Sequence, residues 1–376
     1  MSASPLSTRM PRVDSLTGLR WWAAFAVFAF HMANLAPLPI ARALGFGNYG
    51  VAFFFVLSGF VLTWSASDRV SPGTFYVRRF ARIYPAYLVA LIVAIPIFTS
   101  LTPDPAQAWV KPVDVGVLAL SFVLLQGWWR DPAVLFSGNP VAWTLSCEAF
   151  FYALHPAIGR AFSRVRAKGA LIGAGAMVAV LLASRVVIVI APASWFAQLP
   201  WPILRLPEFV LGMALAWAMR CGWRPKVRPL VLLVMLGAAF AAWYASRPIT
   251  ALWPSTAPLW PFVTEFVVIL FALLIASVAA GDLAGRWSFT RNRWSIRLGE
   301  ISYSFYLVHS LLIYAVLALV GPRPVGWSNL AWYGAMLVIG ILAAAALHYG
   351  VEKPLERVIR RAWDRRRERR AVELAA

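Results

Sequence analysis

The chain has 376 residues, 61% hydrophobic and only 13% charged, with a mean hydropathy of +0.70 and a net charge of +20. No soluble domain of this length needs so much apolar surface, and repeated runs of about 20 apolar residues mean membrane-spanning helices. The basic residues punctuate the gaps between those runs, so membrane topology accounts for them better than nucleic acid, and no nucleic-acid partner is expected. Cys147 and Cys221 lie in or beside apolar segments. They form neither a disulfide framework nor a metal-ligand spacing, and no metal is expected.

The opening residues, MSASPLSTRMPR, lack the apolar core and small-residue cleavage site of a cleavable signal. The first span itself is expected to target the chain to the membrane. That span, residues 21–38, is headed by Arg20 and contains His31. Eleven steps of about 100° return nearly to the starting azimuth, so on a helix the two share a face, about 16 Å apart along the axis. With Arg20 at the membrane boundary, His31 lies near the middle of a roughly 30 Å core. A polar group at that depth needs a partner or a substrate, and both catalysis and a hydrogen bond between packed helices fit.

The second span, residues 49–65, reads GNYGVAFFFVLSGFVL at its head. Its small residues, Gly59 among them, are expected to permit close helix packing. Ser58 has no neighbouring base in the string and is a weak nucleophile candidate. Next comes YVRRFARIYPAYL, leading into a span over residues 83–101. Arg79 and Arg82 are three apart and point the same way from a helix at its cytoplasmic mouth. Guanidinium forks bind phosphate bidentately, so the pair suits a phosphorylated cytosolic ligand, although basic residues here also serve topology alone.

Two shorter candidates follow, residues 115–129 and 142–158. The second holds Glu148 among aromatic residues, where a carboxylate is costly unless paired, protonated or in a polar cavity. Later candidates lie near 171–190, 201–219, 230–244, 259–279, 298–320 and 330–349, about eleven in all. Arg205 and Glu208 in RLPEFVLGM are expected to pair with each other. His309 lies about eleven residues into its span, at the same depth as His31, and the two point to a shared polar chamber if packing brings them together. Glu352, at the end of the last span, is expected to neutralise nearby arginines.

Loop charge sets the orientation. The stretches RVRAK, RCGWRPKVR, RWSFTRNRWSIR and the tail ERVIRRAWDRRRERR are strongly basic, and the alternate connections are nearly free of arginine. Every basic loop and both termini are therefore assigned to the cytoplasm. Between residue 101, outside, and residue 164, inside, the chain must cross an odd number of times. One of the two short candidates is thus expected to be re-entrant or interfacial. The fold class is an all-α polytopic bundle of about ten transmembrane helices.

Taken in order, these pieces resemble the integral-membrane acyltransferase-3 family. The matching residues are Arg20 and His31 as Arg-x10-His, FFFVLSGF, the Arg79–Arg82 pair leading into IYPAYL, WTLSCEAFFY, RLPEFVLGM, ISYSFYLVH and the terminal VEKP. The resemblance implies a membrane acyltransferase domain over residues 1–355, followed by a basic cytoplasmic tail over 356–376 without a fused esterase-like domain. It implies transfer of an acyl group, often acetyl, from cytosolic acyl-CoA to a hydroxyl, with acyl-CoA as co-substrate and no resident cofactor. The acceptors it implies are bacterial surface glycans, lipid-linked sugars or macrolides, and the opening motif is also similar to the macrolide O-acyltransferase branch. Within that frame Arg20, Arg79 and Arg82 hold the CoA phosphates, His31 is the catalytic base, with a covalent acyl-histidine as the alternative, and Glu148 and His309 orient the acceptor or tune His31. The implied location is the inner membrane of a bacterium. The rival reading from another class is a proton-coupled transporter or flippase, which also uses histidines and glutamates at mid-membrane.

Overall fold

The structure is a computed structural model that describes residues 10–68, 70–286 and 288–375. Residues 1–9, which carry most of the stretch without a cleavable signal, lie outside the described residues, as do Arg69 and Trp287 of two basic loops.

The chain is a helical bundle with one two-residue strand pair, Thr99–Ser100 with Lys111–Pro112. Its helices are α1 (Asp14–Met32), α2 (Gly50–Trp64), α3 (Pro72–Phe98), the short α4 (Val115–Phe122) and α5 (Trp143–Phe162). Then come α6 (Ala167–Ile190), α7 (Trp201–Arg220), α8 (Pro229–Leu252), α9 (Val263–Leu283), α10 (Arg293–Val320) and α11 (Leu330–Leu347). A π-helical turn, His348–Glu352, joins α11 without a break to α12 (Lys353–Ala375).

Among the described residues, eight helices are long and apolar enough to cross a membrane. Helices α1 and α5, of 19 and 20 residues, have the length but carry Arg20 with His31 and Glu148 with His155. Together they make ten, in line with the expected count. The parity question is answered by α4, whose eight residues reach only about 12 Å. It ends where Leu124 adopts a φ of 57°, a left-handed backbone that a leucine adopts rarely. The ends of this short element are satisfied by protein groups. Tyr87 and Tyr84 donate to the carbonyls of Ser121 and Phe122 at 2.6 and 3.0 Å, as irregular backbone at membrane depth requires.

Local sequence explains most boundaries. Helix α3 begins eleven residues before the apolar run because Ser71 accepts from the Thr74 amide and Pro72 occupies the first turn. Asn292 caps α10 in the same way, accepting from the amides of Trp294 and Ser295. Helix α1 stops at Met32, six residues short of the expected end, before a segment with Pro37 and Pro39. Proline offers no amide hydrogen and biases the preceding residue away from helix. His31 therefore sits in the last turn of α1.

The most extensive packing joins α2 to α7, α1 to α10 and α6 to α7. Where α2 crosses α7, a Cβ on Gly59 would stand 1.9 Å from the Phe209 carbonyl oxygen, and one on Gly212 would stand 2.0 Å from that of Val56. The two backbones touch, as the small residues foretold.

The basic segments converge on one end of the bundle. Trp64 donates to the Pro11 carbonyl, Arg220 to those of Trp64 and Ala66, and Trp217 to that of Val165. Trp363 of the tail donates to Thr74 at the head of α3. The opposite end is closed by the α10–α11 connection, where the amide of Arg323 and the side chain of Asn329 bond Leu35 and Pro37.

Candidate active site between the basic end and a histidine pair

Helices α1, α2, α3, α5 and α10 enclose a chamber of about 150 Å³. Arg20, Arg79, Arg82 and Glu148, singled out in the sequence, all line it, together with Ser58, Tyr152, Thr144 and Tyr306. Toward the basic end it shares Arg20, Arg79 and Arg82 with a vestibule of about 950 Å³. There Arg12, Arg78, Lys353 and Arg360 add positive charge against one carboxylate, Glu300. A mouth of this kind concentrates anions.

The three arginines are not equivalent. Among the described residues Arg20 and Arg79 have no ion pair and no hydrogen bond, and the Arg79 Nε is buried without a partner. Arg82 is engaged: its guanidinium pairs with Glu352 and lies 3.5 Å from Glu356. Glu352 is buried and also accepts from Ser304 at 2.6 Å and from His348 Nδ1 at 2.9 Å. Glu352 does neutralise an arginine, and that arginine is one of the pair expected to stand free for phosphate. Glu148 accepts from the Tyr152 hydroxyl at 2.8 Å, and Ser58 lies 3.2 Å from the same hydroxyl.

His31 and His309 meet. Nδ1 of His31 is 3.1 Å from Nε2 of His309, with ring centroids 5.1 Å apart. Their backbone contacts assign the tautomers. Nδ1 of His309 lies 2.8 Å from the Tyr306 carbonyl, and Nδ1 of His31 lies 3.0 Å from the Val27 carbonyl. A carbonyl only accepts, so both Nδ1 atoms carry hydrogen. Nε2 of His309 is then an acceptor for the His31 N–H, and Nε2 of His31 keeps a free lone pair. His309 is 1% exposed and sealed, whereas His31 is half-buried. That arrangement leaves a neutral imidazole, held by its back edge and able to take a proton on its front edge.

The acyltransferase domain family matches residues 13–349. The chain belongs to that family. It is 35% identical to the acyltransferase MdmB of Streptomyces mycarofaciens, over 94% of each protein. It is also 26% identical to the peptidoglycan O-acetyltransferase OatA of Listeria monocytogenes, over 92% of this chain and 57% of that one. Nodulation protein 10 of Rhizobium leguminosarum is 25% identical over 89% of this chain and 91% of its own length. No solved structure matches. Membership makes the chain a multi-pass membrane protein of an acyl-transferring family, and its buried polar groups are read in that light.

The structure brings Arg20, Arg79, Arg82 and Glu148 into one chamber and His31 to His309, but it separates the two groups by one layer. Tyr306 forms the partition. Its hydroxyl is 3.1 Å from Thr144 in the chamber wall, and its ring is 5.6 Å from that of His309. Val27, one turn before His31, packs against Tyr306 and Val141. Glu148 touches neither histidine by hydrogen bond. Sequence reasoning passed over Tyr152, Thr144 and Tyr306, whose hydroxyls look like ordinary aromatic and small residues in a string. The available signal was spacing: Tyr152 is four residues from Glu148 and Tyr306 three from His309, each on the same helix face. Arg205 and Glu208 do pair with each other, at 2.8 Å.

Proposed function

We propose that the protein is an O-acyltransferase of a bacterial plasma membrane that takes an acyl group from cytosolic acyl-CoA. The acceptor is a hydroxyl of a carbohydrate or of a sugar-bearing metabolite such as a macrolide. The observation that carries this reading is the Arg20–His31 face of α1, with unpaired arginines at the basic end and a hydrogen-bonded histidine pair at the other. Acyl transfer to an oxygen nucleophile needs both. Arg20 and Arg79 meet the diphosphate at the mouth, and the pantetheine arm extends through the chamber toward Tyr306. The kinship with an acyltransferase and a peptidoglycan O-acetyltransferase supports the reaction class.

In this reading His31 Nε2 takes the acceptor proton as the hydroxyl oxygen attacks the thioester carbonyl. The tetrahedral intermediate collapses, the carbon–sulfur bond breaks, and the ester forms. The leaving thiolate takes the proton back from His31, which restores the base. His309 holds the tautomer and is a positioning residue. General base work of this kind contributes typically 10²–10⁴-fold.

The test is single-turnover transfer from radiolabelled acyl-CoA by purified protein in detergent. His31→Ala should lose at least 10²-fold in the chemical step while still binding CoA. A near-wild-type rate would make His31 a structural histidine and remove the mechanism. A carrier would neither transfer nor hydrolyse the thioester.

A further inference from the structure

A second cavity of about 370 Å³ opens beside the vestibule, between the end of α2, the head of α3 and the end of α5. Arg79 is the one described arginine that borders this cavity, the chamber and the vestibule alike. It stands at a three-way junction with its Nε buried and unpartnered. The side cavity has two further cations, Arg78 and Arg160. Neither has a carboxylate partner among the described residues, and the Arg160 Nε reaches only the Pro156 carbonyl of its own helix, at 3.3 Å. One wall is aromatic, with His155 stacked on Phe75 at 4.9 Å, and Asp68 supplies an acceptor at the rim.

We propose that this side cavity is the subsite for the 3′-phosphoadenosine end of the donor, an inference that rests on the acyl-CoA reading above. The shapes divide the molecule. The chamber is narrow and ends at Tyr306, on the near side of the histidines, which suits a thin pantetheine arm. A diphosphate at Arg79 sits where the path forks, because that arginine faces both branches. The side branch is wide, cationic and partly aromatic, which suits a flat base bearing a second phosphate. Arg160 and Arg78 would read that phosphate, and Asp68 would accept from the adenine amine or a ribose hydroxyl. An anionic lipid headgroup shares the phosphate chemistry but has no use for a cavity that forks from the donor path.

Gly159 provides a clean probe. It lines the cavity, and a Cβ added there meets nothing within 4 Å, so Gly159→Trp fills the space without pressing on the backbone. Titration calorimetry on the full chain in detergent, with CoA, dephospho-CoA and phosphopantetheine, reads the outcome. Gly159→Trp should lower the ratio of CoA to phosphopantetheine affinity at least tenfold. Arg160→Ala, an exposed change, should bring the ratio of CoA to dephospho-CoA affinity close to one. Adenosine 3′,5′-bisphosphate should compete with CoA on the wild type. Wild-type ratios in both variants would overturn the subsite while leaving acyl-CoA as donor. Displacement of CoA by added phosphatidylglycerol, with no competition from the bisphosphate, would make the cavity a lipid site and equally overturn it. A wild type that binds no CoA would remove the donor reading and this subsite with it.

Discussion

Two arginines three residues apart do different work because one of them has met a carboxylate. Under the proposed acyl-CoA reading, Arg79→Ala removes a charge-assisted contact to the donor, worth about 1.5–3 kcal/mol. It should raise the donor KM at least tenfold with a smaller effect on kcat, as steady-state kinetics would show; an unchanged KM would leave this arginine with topology alone. Arg82→Ala instead takes the arginine from the fully buried Glu352 and leaves it only Ser304 and His348. Breaking a buried pair from one side costs about 3–5 kcal/mol. The expected result is a marked fall in thermal midpoint in detergent, with Arg82→Met/Glu352→Leu recovering much of it, since an apolar pair of similar volume removes both charges. If Arg82→Ala keeps the wild-type midpoint and only weakens the donor, the ion pair is incidental. The sequence placed Arg82 correctly on the helix face. What it could not supply was the partner, which comes from 270 residues away.

At the scale of elements, the bundle depends on a few backbone crossings. Helices α2 and α7 touch at Gly59 and Gly212 with no room for a methyl group. Gly212→Val forces the helices apart, and because α2 carries Ser58 and much of the chamber wall, the site opens with them. Size-exclusion chromatography should show loss of the monodisperse peak for Gly212→Val, and Gly237→Ala, where a Cβ meets nothing within 4 Å, should keep it. A monodisperse, active Gly212→Val would mean that the crossing tolerates separation. The small-residue pattern made Gly59 a packing residue but could not name the helix it packs on. The short α4 illustrates the converse. Its eight residues are as apolar as any span, but the helix is too short to cross: it stops before the turn at Leu124, where Tyr84 and Tyr87 satisfy its carbonyls.

For the whole molecule, the segments rich in arginine meet at one end, and the vestibule opens among them. Charge asymmetry assigns that end to the cytoplasm, the side that holds acyl-CoA. On a background with Cys147→Ala and Cys221→Ala, a cysteine replacing the exposed Lys226 should resist an impermeant reagent added outside. One replacing Ala106, in the connection at the opposite end, should label readily. External labelling at position 226 would invert the orientation and place the vestibule on the wrong side for the donor. The tail belongs to this architecture as well. Trp363 and Arg367 both bond Thr74, each at 3.1 Å, so α12 leans on the head of α3 beside the vestibule it helps to line.

The sequence by itself determined the class and the approximate number of crossings, and it set an expected depth for each polar residue. Apolar run length and loop charge are local quantities, and helical rise converts position into depth without reference to any other helix. The match of Arg20, His31, Arg79, Arg82, Glu148 and His309 to one motif order likewise needed no coordinates. Azimuth and partnership were decided only by the tertiary structure. Depth put His31 and His309 at one level, but only packing of α1 on α10 made them neighbours and left Nε2 of His31 free. The same packing set Tyr306 between histidines and chamber and committed Arg82 to Glu352. Those choices depend on which faces of helices distant in the chain meet, and in a membrane, where every helix is apolar on most of its surface, the order of residues along one helix carries little record of its neighbour.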